Sequence, residues 1–483
     1  MKPPADRAWV VASGWMVFLH AYRLELAMAG TWHYFAGREV AKIGAVFKTM
    51  SRLRREKRAD WFEASSAATY FERQGELLWL KDEHYRSPST SLLTDGDLAL
   101  VFSAIEGPRE IRIPIDAKLL RTLGVLFPEL APHRPAAALA EDPEALALAE
   151  ALREDGLLAE VPLVPSEGDA EGANRAERSR SQRGEAMAVR LHGHGSVEVA
   201  TARTRVWIDP LLTVRFRSDA QRLDELTRPP DAVILTHAHW SHFNVDTLLR
   251  IDRRTPVYLP ARRHAVSLDN IDMPAILGEL GFHDLRFLPM WEPVTIGEIR
   301  VTATPFRGAG LGPASPVDWA TLHVAAGGRA FFFAVDACAD QHGSMDEVIA
   351  DVGRRLGAVD ALFASYEAYQ YPICWFTRRP FVLGPGRELA STSPEDAVRW
   401  ATMLGARTLV PYAGFAFDEA TMWTAPPKEM LYAGVVRRGS LRDLVESAAG
   451  WPEERLTLLA PGGVIRWDGA EVTVTGRAAV PPP

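Results

Sequence analysis

"THAHWSH", residues Thr236 to His242, places three imidazoles within six positions, at His237, His239 and His242. Just before it, Val233, Ile234 and Leu235 form a continuous apolar run that reads as a buried strand. Alternate residues of an extended chain project the same way, so His237 and His239 point together. A turn after His239 then brings His242 round from the other side. Imidazole suits zinc, iron and related ions. A lone histidine is usually structural, but three at this spacing at the end of a buried strand point to a metal site. Ser241 stands where a metal site would gain most from an aspartate.

The chain around this stretch, from Met187 on, repeats strand, turn and helix. "RAFFFAVDACAD" (329–340) and "VDALFASYEA" (359–368) read as further buried strands, and "TLVPYAGF" (408–415) as the next. Between them, Ser393 with Asp396 three residues on is close to a capping box and predicts a helix start. Buried strands alternating with helices predict a layered α/β domain over 187–475. Its polar residues cluster at strand ends, where such sheets place their sites.

Residues 1–163 read as a separate α+β unit. "GELLWLKDE" (Gly75–Glu83) and "LALVFSAI" (Leu98–Ile105) have strand character. Leu146, Leu148, Ala149, Leu152 and Leu157 give a helical apolar stripe, with Gly156 where a helix would stop. The order of helix, break, helix and strand resembles a small winged-helix module; an ordinary helical bundle packed on the next domain or on a second copy is the plainer alternative. "AWVVASGWMVFL" (Ala8–Leu19) is apolar and uncharged. It falls short of the roughly 20 residues a membrane span needs, and reads as a buried or interface helix running to about Ala29. Its need for burial predicts a homodimer that depends on residues 1–30. Residues 164–186 are polar and lack apolar periodicity, so they read as a linker.

A chain of 483 residues exceeds one ordinary core and implies two or more domains. A net charge of −8 gives no signature of nucleic-acid binding. The two cysteines, Cys338 and Cys374, cannot build a disulfide framework, which suits a reducing cytoplasm.

Several blocks together carry a family resemblance. "GHGS" (Gly193–Ser196), "IDPLL" (Ile208–Leu212), "THAHWSH", "FFFAVDA" (Phe331–Ala337) and "SPEDAV" resemble, in order, the metallo-β-lactamase fold, a four-layer αββα sandwich. "TPFRG" (Thr304–Gly308), "VDALFASYEAYQYPICWFTRRPF" (359–381) and "TLVPYAGF" resemble more narrowly the dinuclear-iron β-hydroxylase of chloramphenicol biosynthesis. That enzyme hydroxylates an amino acid held on a carrier protein and also begins with a domain of its own.

The resemblance implies four metal ligands here: His237, His239, His242 and a bridging Asp336. The first two histidines would serve metal one and His242 metal two. Metal one then keeps two histidines and one carboxylate, the ligand set of non-haem iron(II) oxygenases. Three positions depart from the family. Ser241 replaces an aspartate, Arg307 is the only polar residue where a His or Glu ligand is expected, and Tyr412 stands where the last histidine would lie. Ser241, Glu367, Tyr412 and His194 are candidate additional ligands or supporting groups. At least one of His192 and His194, in the entry turn, reads as orienting a loop or a group that supports a ligand, His323 reads as a histidine of the core or one supporting a ligand, and Arg378 and Arg379 read as a solvated pair or an anchor for a substrate carboxylate or a carrier's phosphate.

The functional expectation is a cytoplasmic, iron-dependent monooxygenase of natural-product biosynthesis, with one or two ions. Its substrate would be an amino acid or peptide tethered to a carrier protein or leader peptide. One alternative is a zinc-dependent hydrolase, which the loss of an aspartate at Ser241 weakens. The other is a metal-poor, non-catalytic binding relative.

Overall fold

The computed structural model describes residues 5–13, 15–20, 45–46, 49–75, 77–81, 92–93, 98–106, 109–164, 187–212, 229–239, 241–261, 272–308, 319–338, 344–371, 388–414, 436–469 and 471–478. Most of the predicted linker, Cys374, Arg378 and Arg379 lie outside the described residues.

The amino-terminal stretch corrects one expectation. Ala8–Leu19 is not a helix but lies in two strands, β1 (Arg7–Val11) and β2 (Trp15–His20). The Trp15 N–H donates to the Ala12 carbonyl, closing a tight turn that includes Ser13, and Gly14 follows in the sequence. Those two residues break a run otherwise rich in valine and tryptophan, residues that favour strands. Strands β3 (Phe71–Gln74) and β4 (Leu77–Leu80) form a hairpin. β5 (Ala99–Ala104) pairs with both β2 and β6 (Glu110–Pro114). β7 (Leu158–Pro162) follows the helices Ala117–Glu129 and Pro143–Glu154 and pairs with β1. Ala8, Trp9, Val17 and Leu19 are buried within the chain itself. The burial that predicted a second copy is therefore met internally.

Residues from 187 on build two facing sheets. The first holds β8 (Met187–Gly193), β9 (Ser196–Ala200), β10 (Arg205–Ile208), β11 (Ala232–Ile234), β12 (Val257–Pro260) and β13 (Leu285–Leu288). The second holds β14 (Pro293–Ile296), β15 (Ile299–Pro305), β16 (Ala320–Ala326), β17 (Arg329–Ala334) and β18 (Ala361–Ala364). A small sheet of β19 (Ala368–Tyr371), β20 (Glu388–Ala390) and β22 (Val436–Arg438) follows. β21 (Thr408–Pro411) joins the second large sheet beside β18, while β23 (Leu459–Asp468) and β24 (Glu471–Arg477) extend the first beyond β8.

The alternation of strand side chains separates three cores. Val206, Ile208, Ala232 and Ile234 face Phe331, Phe333 and Phe363 between the sheets. Phe332, Leu362 and Ala364 face outward, onto the helices Met345–Leu356 and Pro394–Met403. Ser393 caps the second of these helices as expected, its hydroxyl accepting from the Asp396 N–H at 3.1 Å. On the opposite side, Trp207, Val233 and Val257 share one core with Leu19, Phe102, Leu120 and Phe127. The amino-terminal segment thus supplies part of the outer helical layer over the first sheet. These layers are those of an αββα sandwich.

Candidate metal centre

The site gathers at the carboxyl ends of parallel strands in both large sheets. β10 and β11 run parallel, so Asp209 after the first lies beside Thr236 and His237 after the second. β17, β18 and β21 are likewise parallel and end at Asp336, Ser365 and Tyr412. The Ala320 N–H donates to the Thr236 carbonyl at 3.2 Å and ties one sheet to the other at this edge.

Asp209 organises the histidines, a role the sequence reading missed. It is fully buried and accepts three donors. The Thr236 N–H donates to Oδ1 at 2.7 Å, and the Thr236 hydroxyl donates to Oδ2. His242 Nδ1 lies 2.9 Å from Oδ2. The Thr236 oxygen also lies 2.8 Å from His237 Nδ1. Because that hydroxyl spends its proton on Asp209, the proton of the second contact belongs to His237 Nδ1. The chain of donors therefore occupies Nδ1 of both His237 and His242, so that Nε2 is the nitrogen each would offer a metal, His242 giving up its Nε2 proton when one binds. His194 Nδ1 lies 2.8 Å from the Gly414 carbonyl, which sets the same tautomer there.

The donor atoms converge on one point. Asp336 Oδ2 stands 3.4 Å from His237 Nε2, 3.6 Å from His239 Nδ1 and 3.3 Å from His242 Nε2. His237 Nε2 and His239 Nδ1 are 3.1 Å apart. Ligands bound to one ion at about 2.1 Å lie about 3.0–3.4 Å from each other. The residues therefore fit an ion, and a cation resolves the repulsion of lone pairs packed this closely. Among the described residues, two sets of three have ligand atoms within 4.8 Å of one another: His237, His239 and Asp336, and Asp209, His237 and His242. In the second set, Asp209 already accepts three hydrogen bonds, so it acts by orienting the histidines.

Electrostatics follow from burial and neighbours. Burial, reinforced by the charge of His242, pushes His237 well below the usual imidazole range. Burial and His242 likewise lower His194 to about 4. Burial would lower His242 too, but Asp209 and Asp336 outweigh it and raise it to about 9. Burial would raise the Asp336 carboxyl, yet the three facing imidazoles hold it well below the usual carboxylate range.

Backbone strain concentrates here. His194, Asp209, Asp336, Ser391 and Ala413 all have positive φ, between 47° and 65°, where non-glycine residues are uncommon. Ser391 Oγ lies 3.4 Å from Asp336 Oδ1, and Ala413 N–H donates to the His194 carbonyl at 2.8 Å. Each such residue costs roughly 1–3 kcal/mol, and sites of this kind gather around functional groups. Gly195 has no alternative, because a Cβ there would sit 2.5 Å from His242 Cε1.

The other candidates divide. Ser241 is buried in the turn where His242 N–H donates to the His239 carbonyl at 2.9 Å. Glu367 is buried but belongs to neither donor set. Tyr412 is buried with its ring 5.8 Å from that of Phe363. Burial and the nearby carboxylates raise its phenol well above the ordinary value, so it stays protonated. His192 packs edge-on to Trp207. His323 lies buried within β16 and is a core histidine, as expected. Two aromatic residues not singled out in the sequence wall the centre. The Trp319 ring lies 4.9 Å from His237 and 4.8 Å from His239, and Phe306 stacks on His237 at 6.2 Å.

The layers are those of the metallo-β-lactamase fold, and residues 204–412 match the family model described as "Beta-lactamase superfamily domain". The chain is 28% identical over 189 residues, 38% of its length, to 4-amino-L-phenylalanyl-[CmlP-peptidyl-carrier-protein] 3-hydroxylase of Streptomyces venezuelae. That match spans 34% of the relative, about a third of its length. Among solved structures it is similar to CmlA, a diiron β-hydroxylase from Streptomyces venezuelae, with a TM-score of 0.56 and 17% identity. This match covers 86% of the present chain and 91% of that one. A variant of CmlA matches with a TM-score of 0.52 and 16% identity over 84% of this chain and 92% of that one. Among the described residues no helix is long and apolar enough to cross a membrane.

Proposed function

We propose that this protein is a non-haem iron-dependent monooxygenase. It would hydroxylate an amino-acid or peptide substrate tethered to a carrier protein or leader peptide in natural-product biosynthesis. The observation that carries this reading is the donor set of His237, His239 and Asp336, two imidazoles and one carboxylate around one point. Iron held there by His237, His239 and Asp336 would supply the redox chemistry of dioxygen activation. Hydroxylation inserts one oxygen atom into a C–H bond and releases the other as water, drawing two electrons and two protons from an external donor.

The chain's own part is positioning and exclusion. Thr236 and Asp209 engage Nδ1 of His237 and His242 and so turn Nε2 of each toward the centre. Trp319 and Phe306 cover its apolar side against water. Ser241 offers no carboxylate to place or deprotonate a water, which weighs against ordinary hydrolysis in this fold. The similarity to a hydroxylase of a carrier-bound amino acid supports the same substrate class. Residues 1–163 are read as an assembly or substrate-docking unit.

A zinc-dependent hydrolase is the second reading. It is favoured by His242 Nε2, which stands as near Asp336, at 3.3 Å, as His237 does, and such a donor set also suits zinc. Anaerobic purification, metal analysis and oxygen uptake with carrier-loaded amino acids separate the two. Bound iron and a substrate gaining one oxygen atom are expected. Full zinc occupancy, with no oxygen uptake after loading with iron, would overturn the proposal.

A further inference from the structure

The short helix that follows the third histidine is also where the amino-terminal segment docks. Asn244 caps this helix, Val245–Leu248, through a bond from the Thr247 N–H to Oδ1 at 2.8 Å. The buried Asp246 carboxylate accepts the backbone N–H of Leu19 in β2. Arg250 Nη2 donates to the Val17 carbonyl of the same strand at 3.0 Å. Its guanidinium lies 5.2 Å over the Phe127 ring of the Ala117–Glu129 helix. Burial lowers Arg250 to about 10, so it remains a cation at neutral pH beside Asp246.

The same short helix also reaches the loop that holds Asp209. The Leu212 N–H donates to Thr247 Oγ1 at 2.9 Å, and the Leu211 N–H donates to Ser196 Oγ at 3.0 Å. His242 is thus gripped from two sides by one element. Its backbone leads directly into the helix, and its Nδ1 partner, Asp209, sits on a loop pinned to Thr247. His237 and His239 continue from β11, whose backbone is held on both sides by β10 and β12; residues 1–163 reach it through the shared apolar core at Val233 and Leu235 rather than through polar bonds to its backbone.

We propose that Asp246 and Arg250 are positioning residues through which the amino-terminal segment fixes His242, and so governs the metal-two position selectively. The inference rests on His242 being a ligand. A buried carboxylate and a buried guanidinium are costly ways to fasten two strands. They are well suited to fixing one register, because each bonds a defined backbone atom of β2. Loss of either lets the helix shift against β2, and the shift passes to His242 within one turn.

The test uses the full-length protein and Co(II) as the probe. Metal-free wild type, His242→Ala, Asp246→Leu and Asp246→Asn are titrated while the visible d–d bands are recorded. The component missing in His242→Ala marks the ion held by that residue. Asp246→Leu should weaken this component roughly tenfold, the scale of lost orienting groups around metal ligands, and leave the remaining component unchanged. Asp246→Asn keeps an acceptor for the Leu19 N–H and should restore the wild-type spectrum. If Asp246→Leu does not fold by circular dichroism, Arg250→Lys replaces it, with the same selective loss expected. Identical titrations in wild type and the folded variant, with only a lower melting temperature, would overturn the inference and leave the metal centre standing. A wild type that takes up no Co(II) would overturn the centre itself.

Discussion

Asp209→Asn is the sharpest perturbation of this centre, because it changes one atom and leaves the shape intact. The aspartate accepts three donors on two oxygens: the Thr236 N–H on Oδ1, and the Thr236 hydroxyl and His242 Nδ1 on Oδ2. Asparagine has one oxygen and one NH2 group. If its oxygen takes the Oδ1 position, the NH2 faces His242 Nδ1 and forces the proton to Nε2. His242 then presents an N–H to the metal and cannot ligate. If the oxygen takes the Oδ2 position, the NH2 faces the buried Thr236 N–H, at a cost of about 1–3 kcal/mol for the unmet donor. The first orientation predicts a 10- to 100-fold loss of metal affinity, roughly 1.4–2.7 kcal/mol. The second predicts a similar loss of stability in the metal-free protein. Calorimetric titration with Fe(II) or Co(II), paired with chemical denaturation of the metal-free form, reads both. An Asp209→Asn protein with unchanged affinity and unchanged stability would refute the proton arrangement derived for Thr236, His237 and His242.

Other outcomes follow from the same geometry. His237→Ala, His239→Ala and Asp336→Asn should each strip most of the bound metal while circular dichroism stays native; full metal content in all three would sink the assignment. Ser241→Asp places a carboxylate beside His242 and should raise occupancy of the second position, read as metal stoichiometry; the same stoichiometry and affinity in both forms would show that the turn cannot aim a ligand there. His323, lowered to about 4 by burial with the Arg300 charge adding to it, binds protons more readily when unfolded. Stability should therefore fall as pH drops below about 6.5 and level off near 4, by up to about 3 kcal/mol. His323→Gln should flatten that part of the profile in urea denaturation, and an unchanged pH dependence would contradict the assigned burial.

The sequence alone determined what local pattern encodes. The apolar run in "RAFFFA" marked a buried strand, and the structure buries both faces of β17, with Phe331 and Phe333 on one and Phe332 on the other. The spacing of His237, His239 and His242 marked the site because strand period and turn length are properties of neighbouring residues. The Ala8–Leu19 stretch shows the limit of reading composition. Its apolar run suggested a helix, yet the turn at Ser13 and the strand propensities on either side carried the answer.

Only the tertiary structure could decide which distant residues meet. Asp209 sits in the quoted "IDPLL", but its role depends on β10 pairing in parallel with β11, which carries it to Thr236, 27 positions away. Trp319 and Phe306 gave no chemical signal at all; they wall the centre because the second sheet closes over the first. Asp246 and Arg250 look like ordinary charges in sequence, and become buried partners of Val17 and Leu19 only when the amino-terminal strands cover the helix that bears them. Side-chain period is set by neighbours along the chain, whereas the convergence of ligands and their supports is set by long-range pairing, which no local window contains.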